Sequence, residues 1–303
     1  MAVTGSGTQQ DPYIFNSFSE LLDLQPEATY TSYYEYGGTA TEEDLNDIYP
    51  EGLSNSLSLT GIIDFKNLVI SNFRSFAQYA IRINGALKNL TLNNIVWTYS
   101  GTSGAFIYGS FYDVFYNVKI YCTINCVFNT GVNIRIIHDT RTFGERIYHI
   151  DKCVVRLKGS VINTSTGGLC VFYIYSMTKD CNVLFDDFVC SNQLHVKEGY
   201  SPGSIGLSMI GCYIGGKITT DNIKDTYAES VSDQQYMSST YNIFNVETEA
   251  TFTHRGYGFN IFNSTKAPNF VSDTETNIIG VTDSQMKDAL YLQSIGFPCY
   301  RGV

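Results

Sequence analysis

Two adjacent carboxylates, Asp186 and Asp187 in the run Phe185-Asp186-Asp187-Phe188, are the residues best suited to chemistry. A pair of carboxyl groups cleaves glycosidic bonds when one protonates the leaving oxygen and the other activates water or attacks the sugar. Neighbours on a strand point to opposite faces, so these two act together only at a bulge or a corner. Otherwise they are a solvated turn. His138, His149, His195 and His254 are scattered and share no metal-ligand spacing. Cys122 and Cys126 form half of a metal site, but no second pair answers them at the usual spacing. Inside a strand-like run they read as small buried hydrophobes. No phosphate-binding loop, dinucleotide fingerprint or Gly-x-Ser-x-Gly elbow is present, so no cofactor and no metal are expected.

Aromatic residues offer a different chemistry. Tyr30, Tyr33, Tyr34 and Tyr36 cluster within seven positions, and Tyr and Phe crowd residues 106–116. Tyr rings on a sheet stack on sugars or anchor an interface, so these four are candidate surface-binding aromatics. Only 16% of the 303 residues are charged, while Tyr numbers 23, so Ser, Thr, Asn, Gly and Tyr must build much of the surface. A net charge of −10 with no Lys/Arg run argues against nucleic acid, which needs a basic stripe. No apolar run reaches the roughly 20 residues that span a bilayer. The N-terminus has neither a basic n-region nor an apolar h-region, so the chain is expected to fold in a cytoplasm with its eight cysteines reduced. The Asn-x-Ser/Thr triplets at Asn89, Asn163 and Asn263 then carry no glycan.

The elements that position these residues are written in a repeat. Residues 67–73, Asn-Leu-Val-Ile-Ser-Asn-Phe, return as residues 89–95, Asn-Leu-Thr-Leu-Asn-Asn-Ile. Looser copies begin at Asn117, Cys153 and Asn182. Strands returning at such intervals point to units that bury their apolar faces by stacking on their neighbours. Alternation in residues 79–84 sets Ile81 and Ile83 on one face and Arg82 and Asn84 on the other. Two-residue Asn-Gly or Asp-Gly hairpin turns are nearly absent, which favours parallel coils over a meander. The spacing predicts an all-β chain, a right-handed parallel β-helix with short capping helices near both termini; a β-sandwich and a propeller are the alternatives. Ser17 with Glu20, and Thr282 with Gln285, form capping boxes that open helices over about 18–24 and 283–294. Met286, Ala289 and Leu290 are placed on one face of the second. A turn of helix is expected at Glu42–Asp47, an extended run at 28–36 and a long loop at 220–240. Residues 1–52 form an attachment and capping segment, 53–218 the β-helix, and 219–303 a C-terminal region of loop, short strands and closing helix.

Two stretches carry a resemblance. Gly5-Ser6-Gly7-Thr8-x-x-Asp11-Pro12-Tyr13-Ile14, followed by Leu21-Leu22, resembles the opening of β-helix surface and virion proteins of gut bacteria and their tailed phages. Thr282-x-x-Gln285-Met286-Lys287-Asp288, with Tyr291-Leu292 and Ser294-Ile295-Gly296-Phe297-Pro298, resembles the close of the same modules. The Asn-aliphatic ladder between them is similar to pectin-lyase-like coils. The resemblance implies a structural component of a phage virion: a head fibre, capsid decoration or tail fibre or spike subunit. It implies a homotrimer that contacts capsid or tail proteins and host surface polysaccharide. Catalytic motifs of the pectin-lyase-like enzymes are missing, since Phe185-Asp186-Asp187 departs from Gly-Asp-Asp. A polysaccharide depolymerase using Asp186 or Asp187 is the alternative, and a bacterial adhesin a second one.

Overall fold

The computed structural model describes residues 4–128, 134–140, 148–163, 169–173, 177–179, 181–192, 203–204, 209–210, 213–221, 225–229, 243–247, 251–255, 259–268, 270–272 and 277–297. The chain is all-β apart from short helices, and its strands pair in parallel. Parallel neighbours ordinarily need a crossover helix. Here the crossover is itself strand. Leu57–Ser71 pairs with Tyr79–Gly101, that strand with Phe115–Phe128, that one with Val154–Asn163, and Val154–Asn163 with Asn182–Asn192. Like then lies over like. Leu57, Ile81, Ile107 and Ile137 form one buried column, and Ile70, Leu92, Ile120 and Val155 another. Each such side chain removed from water contributes about 1.5–3 kcal/mol. Trp97 is fully buried beside Phe106, and its indole N–H donates to the Ala77 carbonyl at 2.9 Å.

The repeated asparagines turn the corners between strands. Asn67, Asn89 and Asn117 all have positive φ, at 70°, 51° and 53°, and Asn72 and Asn94 follow at 56° and 50°. Among side chains other than glycine's hydrogen, asparagine tolerates this left-handed region best. The amides also join one level to the next. Asn117 Nδ2 donates to Asn89 Oδ1 at 3.0 Å and to Asn67 Oδ1 at 3.2 Å, and Asn89 Nδ2 donates to Asp64 Oδ1 at 2.9 Å. A second ladder runs from Asn94 Nδ2 to Asn72 Oδ1 and from Asn72 Nδ2 to Asp44 Oδ2, each at 2.6 Å. A third links Asn263 Nδ2 to Asn245 Oδ1 at 2.9 Å and to Asp283 Oδ1 at 3.1 Å. Lys152 occupies the next corner after Asn117, at φ 52°, and its ammonium reaches the Tyr116 hydroxyl. Asn182 is not a corner residue. It pairs with Val154, which pairs with Lys119, two positions past the Asn117 corner. At another corner Gly61 lies in register with Gly85, and a Cβ on Gly85 would stand 2.0 Å from the Gly61 carbonyl oxygen.

Both ends of the ladder carry helix, though not as the spacing predicts in every detail. Helix α1, Phe18–Leu24, is capped by Ser17, and Phe18 and Leu21 pack into the core with Phe65. The Glu20 carboxylate accepts from Asn16 N–H at 2.7 Å, one residue earlier than a capping box requires. At the other end Thr282 and Gln285 form the full capping box of α2, Asp283–Met286. The expected single helix breaks there, because Asp288 recaps the chain by accepting from Leu290 and Tyr291 N–H and opens α3, Ala289–Ser294. The break rotates the inward face: Met286 and Leu292 are buried, while Leu290 is 77% exposed.

Other expectations change too. Glu42–Asp44 is a strand on residues 69–71, not helix, because the exposed edge there offers it ladder hydrogen bonds. Within 28–36 only Tyr33–Tyr36 is strand. Asp225–Glu229, expected as loop, is a polar strand paired with Thr251–Arg255; residues 230–240 lie outside the described ones. The strand ladder extends on both sides of residues 53–218. Tyr13–Phe15 and Tyr33–Tyr36 stack beneath Leu57–Ser71, and Tyr213–Asp221 continues through Ile243–Glu247 and Phe259–Asn263 to Asn277–Val281.

The corner geometry makes a prediction. Asn89→Ala keeps a Cβ in the left-handed region and loses the amide links, and is expected to cost about 2 kcal/mol. Asn89→Gly relieves the backbone and is expected to cost about half as much. Urea unfolding followed by Trp97 fluorescence checks both; equal losses would sink the role assigned to φ.

Candidate binding surface

The four N-terminal tyrosines do not share one surface. Tyr34 and Tyr36 are 3% and 7% exposed and belong to the core, which corrects their placement as surface aromatics. Alternation is the reason: Tyr33 and Glu35 face outward, so Tyr34 and Tyr36 face inward. Burial raises the pKa of both phenols. Tyr33 is half-buried, and Tyr30 is 46% exposed. Tyr30 stacks on Tyr112, itself 45% exposed, with ring centroids 4.3 Å apart. The aromatic run 106–116 divides likewise: Phe106, Phe111 and Phe115 fill the core, while Tyr108 and Tyr112 reach outward.

The ladder slips at Asp186 and Asp187. Lys158 pairs with Asp186 but Ser160 pairs with Val189, and Phe185 and Phe188 face Gly216 and Ile218. Two residues then oppose one, which is the arrangement of a β-bulge and relaxes the alternation that would separate adjacent side chains. The carboxylates themselves lie outside the described side chains, as do the rings of His149 and His254; His195 lies outside the described residues. Cys122, Cys126, Cys153 and Cys181 are buried free thiols. Burial pushes the Cys126 thiol up to about 12 and Cys122 further, so both rest protonated at neutral pH. Among the described residues no three His, Cys, Asp or Glu side chains gather as metal ligands, and no helix is long and apolar enough to cross a membrane.

A denser cluster lies on the outer face of the sheet formed by Leu57–Ser71, Tyr79–Gly101, Gly104–Phe111 and Ile134–Asp139. Arg82, Tyr108 and His138 stand in register on three successive levels. Tyr79 stacks on Tyr108 at 4.0 Å, and the Arg82 guanidinium sits 5.0 and 5.8 Å from the two ring centroids. His138 meets Tyr108 edge-on at 5.0 Å, and Arg135 Nη1 lies 3.1 Å from His138 Nδ1. Burial, with the Arg135 charge beside it, drops the His138 pKa to about 3, so the ring is neutral at neutral pH. Beside this group lie exposed Asn84 and, in register with it, Ser110, whose hydroxyl is 3.1 Å from that of Thr140. The outward direction of Arg82 and Asn84 is legible in the 79–84 alternation. Their meeting with Tyr108 and His138 is not, because it depends on register across 26 and 30 residues of intervening chain.

Compared with known proteins, the chain matches no family model, no curated protein and no solved structure. Its functional reading therefore rests on its own residues and on the terminal motifs.

His138 makes the fold sensitive to acid. Its folded pKa lies below the ordinary value of 6.5, so its contribution is intact above 6.5 and falls away as pH drops toward about 3, where the unfolded chain binds the proton first. Melting temperature between pH 7 and 4 is expected to fall less steeply in His138→Gln than in the parent protein. Parallel slopes would show that the ring is not held neutral.

Proposed function

We propose that the chain is a right-handed parallel β-helix serving as a structural and binding component of a tailed-phage particle: a head fibre, capsid decoration or tail fibre or spike subunit. The observation that supports it most is the parallel ladder that passes from Tyr13–Phe15 to Asn277–Val281 with capped helix at each end. A stack whose crossovers are themselves strands presents side chains on repeating outer faces and leaves core open only at its ends, and near those ends the helices bury Phe18, Leu21, Met286 and Leu292. Right-handedness is the general sense of parallel crossovers. The glycines of the opening motif have a structural role that fits such an end. Gly5 and Gly7 have φ of 96° and 74°, and Ser6 and Thr8 N–H both donate to the Asp11 carbonyl. The knuckle so formed accepts Tyr33 N–H at the Gly7 carbonyl, 2.9 Å away, and so joins the first level of the ladder.

On this reading the protein is made in the host cytoplasm and resides in the virion. Three copies associate side by side, and the outer faces contact other subunits and host surface glycans. Mass spectrometry of purified particles is expected to find the chain, and light scattering of the isolated protein to give a trimer mass. Its absence from particles would sink the proposal.

The register slip at Asp186-Asp187 favours one second reading, a tail-spike-type depolymerase, since a bulge is where neighbouring carboxylates can share a face. Release of reducing ends from host capsule, lost in Asp186→Asn or Asp187→Asn, is the outcome that reading requires. No release from any host polysaccharide would remove it.

A further inference from the structure

We propose that the outer face carrying Tyr79, Arg82, Tyr108, Arg135 and His138 binds a saccharide that bears a carboxylate. This rests on the reading of the protein as a glycan-contacting component and names the class of glycan. Three features of the face converge. The first is charge. The exposed Arg82 guanidinium, with Arg135 packed on His138 beside it, puts positive charge on the face of a chain whose net charge is −10, and among the described residues no carboxylate forms an ion pair with Arg82. A guanidinium presents a planar fork of donors that matches a carboxylate in a bidentate way, and the Tyr rings beneath Arg82 fix its plane.

The second is the aromatic surface. The Tyr79–Tyr108 pair is half-buried, and a phenol ring with its apolar body fixed and its hydroxyl toward water suits the mixed faces of a pyranose. The rings are locked by stacking, so little side-chain entropy is lost on binding. The third is the polar rim. Ser58, Asn84 and Ser110 lie on the same sheet, with Ser58 in register with Arg82 and Asn84 with Ser110, and supply donors and acceptors for sugar hydroxyls. His138 adds a ring that is uncharged at neutral pH and so does not repel a guanidinium beside it. All of these groups stand on strands rather than loops, which holds them in place before a ligand arrives.

Stacked tyrosines beside arginines also suit a single-stranded nucleic acid. The acidic balance of the chain opposes a long polyanion, whereas a sugar with an isolated carboxylate needs only the Arg82 fork. The experiment separates the two. Purified full chain is applied to an array of oligosaccharides carrying glucuronate, galacturonate or sialate, beside neutral oligosaccharides of the same length. The strongest acidic ligand is then titrated by calorimetry against the parent protein, Arg82→Gln and Arg82→Lys, with Trp97 fluorescence confirming that each variant is folded.

The expected result is binding confined to carboxylated glycans, weakened at least tenfold in Arg82→Gln, partly restored in Arg82→Lys and reduced by added salt. Binding to neutral glycans alone would overturn the inference while leaving glycan contact standing. No binding to any glycan would overturn both, and particle mass spectrometry would still decide the virion role separately. Undiminished affinity in Arg82→Gln would also overturn it, as would displacement of the acidic ligand by an equimolar oligo-dT decamer.

Discussion

The left-handed corner held by asparagine is the constraint on which the rest of this structure depends. A strand that must turn and resume in the same direction one level up needs residues with positive φ at fixed places. Asn67, Asn89 and Asn117 meet that need, and the same side chains then bond to the level above or below. Two requirements, backbone conformation and amide pairing, fall on one residue type. An amide both donates and accepts, so it can extend a ladder indefinitely; a carboxylate such as Asp44 or Asp64 can only end one. The corner fixes register, and register decides which aliphatic side chain lies over which.

Glycine provides the other kind of corner. Gly61 and Gly85 stack where one level's backbone approaches the next too closely for a Cβ. Large rings lie beside them: the Tyr112 N–H donates to the Gly85 carbonyl at 3.1 Å, and the Tyr112 ring stacks on that of Tyr30. The outer faces carry the polar and aromatic groups because the inner columns consume the aliphatic ones.

The pattern is departed from in three places. Lys152 holds a corner that asparagine holds elsewhere, with its ammonium directed to the Tyr116 hydroxyl. Asn182 looks like a corner in the linear pattern and is not one, because it pairs with Val154 and so lies two positions past the corner that Asn117 and Lys152 hold. At Asp186-Asp187 the strand gains a residue over its partners on both sides. The linear repeat shows which residue types suit a corner, and strand pairing decides which of them stand at one.

The sequence by itself determined the parallel all-β character, the repeat in which Asn67, Asn89 and Asn117 recur, the inward Ile81 and outward Arg82, and the two N-caps at Ser17 and Thr282. Each is local: a φ preference, a period of two, or a side chain bonding three residues away. The Tyr33-Tyr34-Glu35-Tyr36 run carried the same kind of signal, since a charge at 35 marks the outward parity and sends 34 and 36 inside. Only the tertiary structure decided that Arg82, Tyr108 and His138 share a column, that Asp288 interrupts the closing helix, and that 42–44 and 225–229 are strands. Those facts depend on which level lies beside which. Register between strands far apart in the chain is set by packing of the whole sheet, and no window of neighbouring residues contains it.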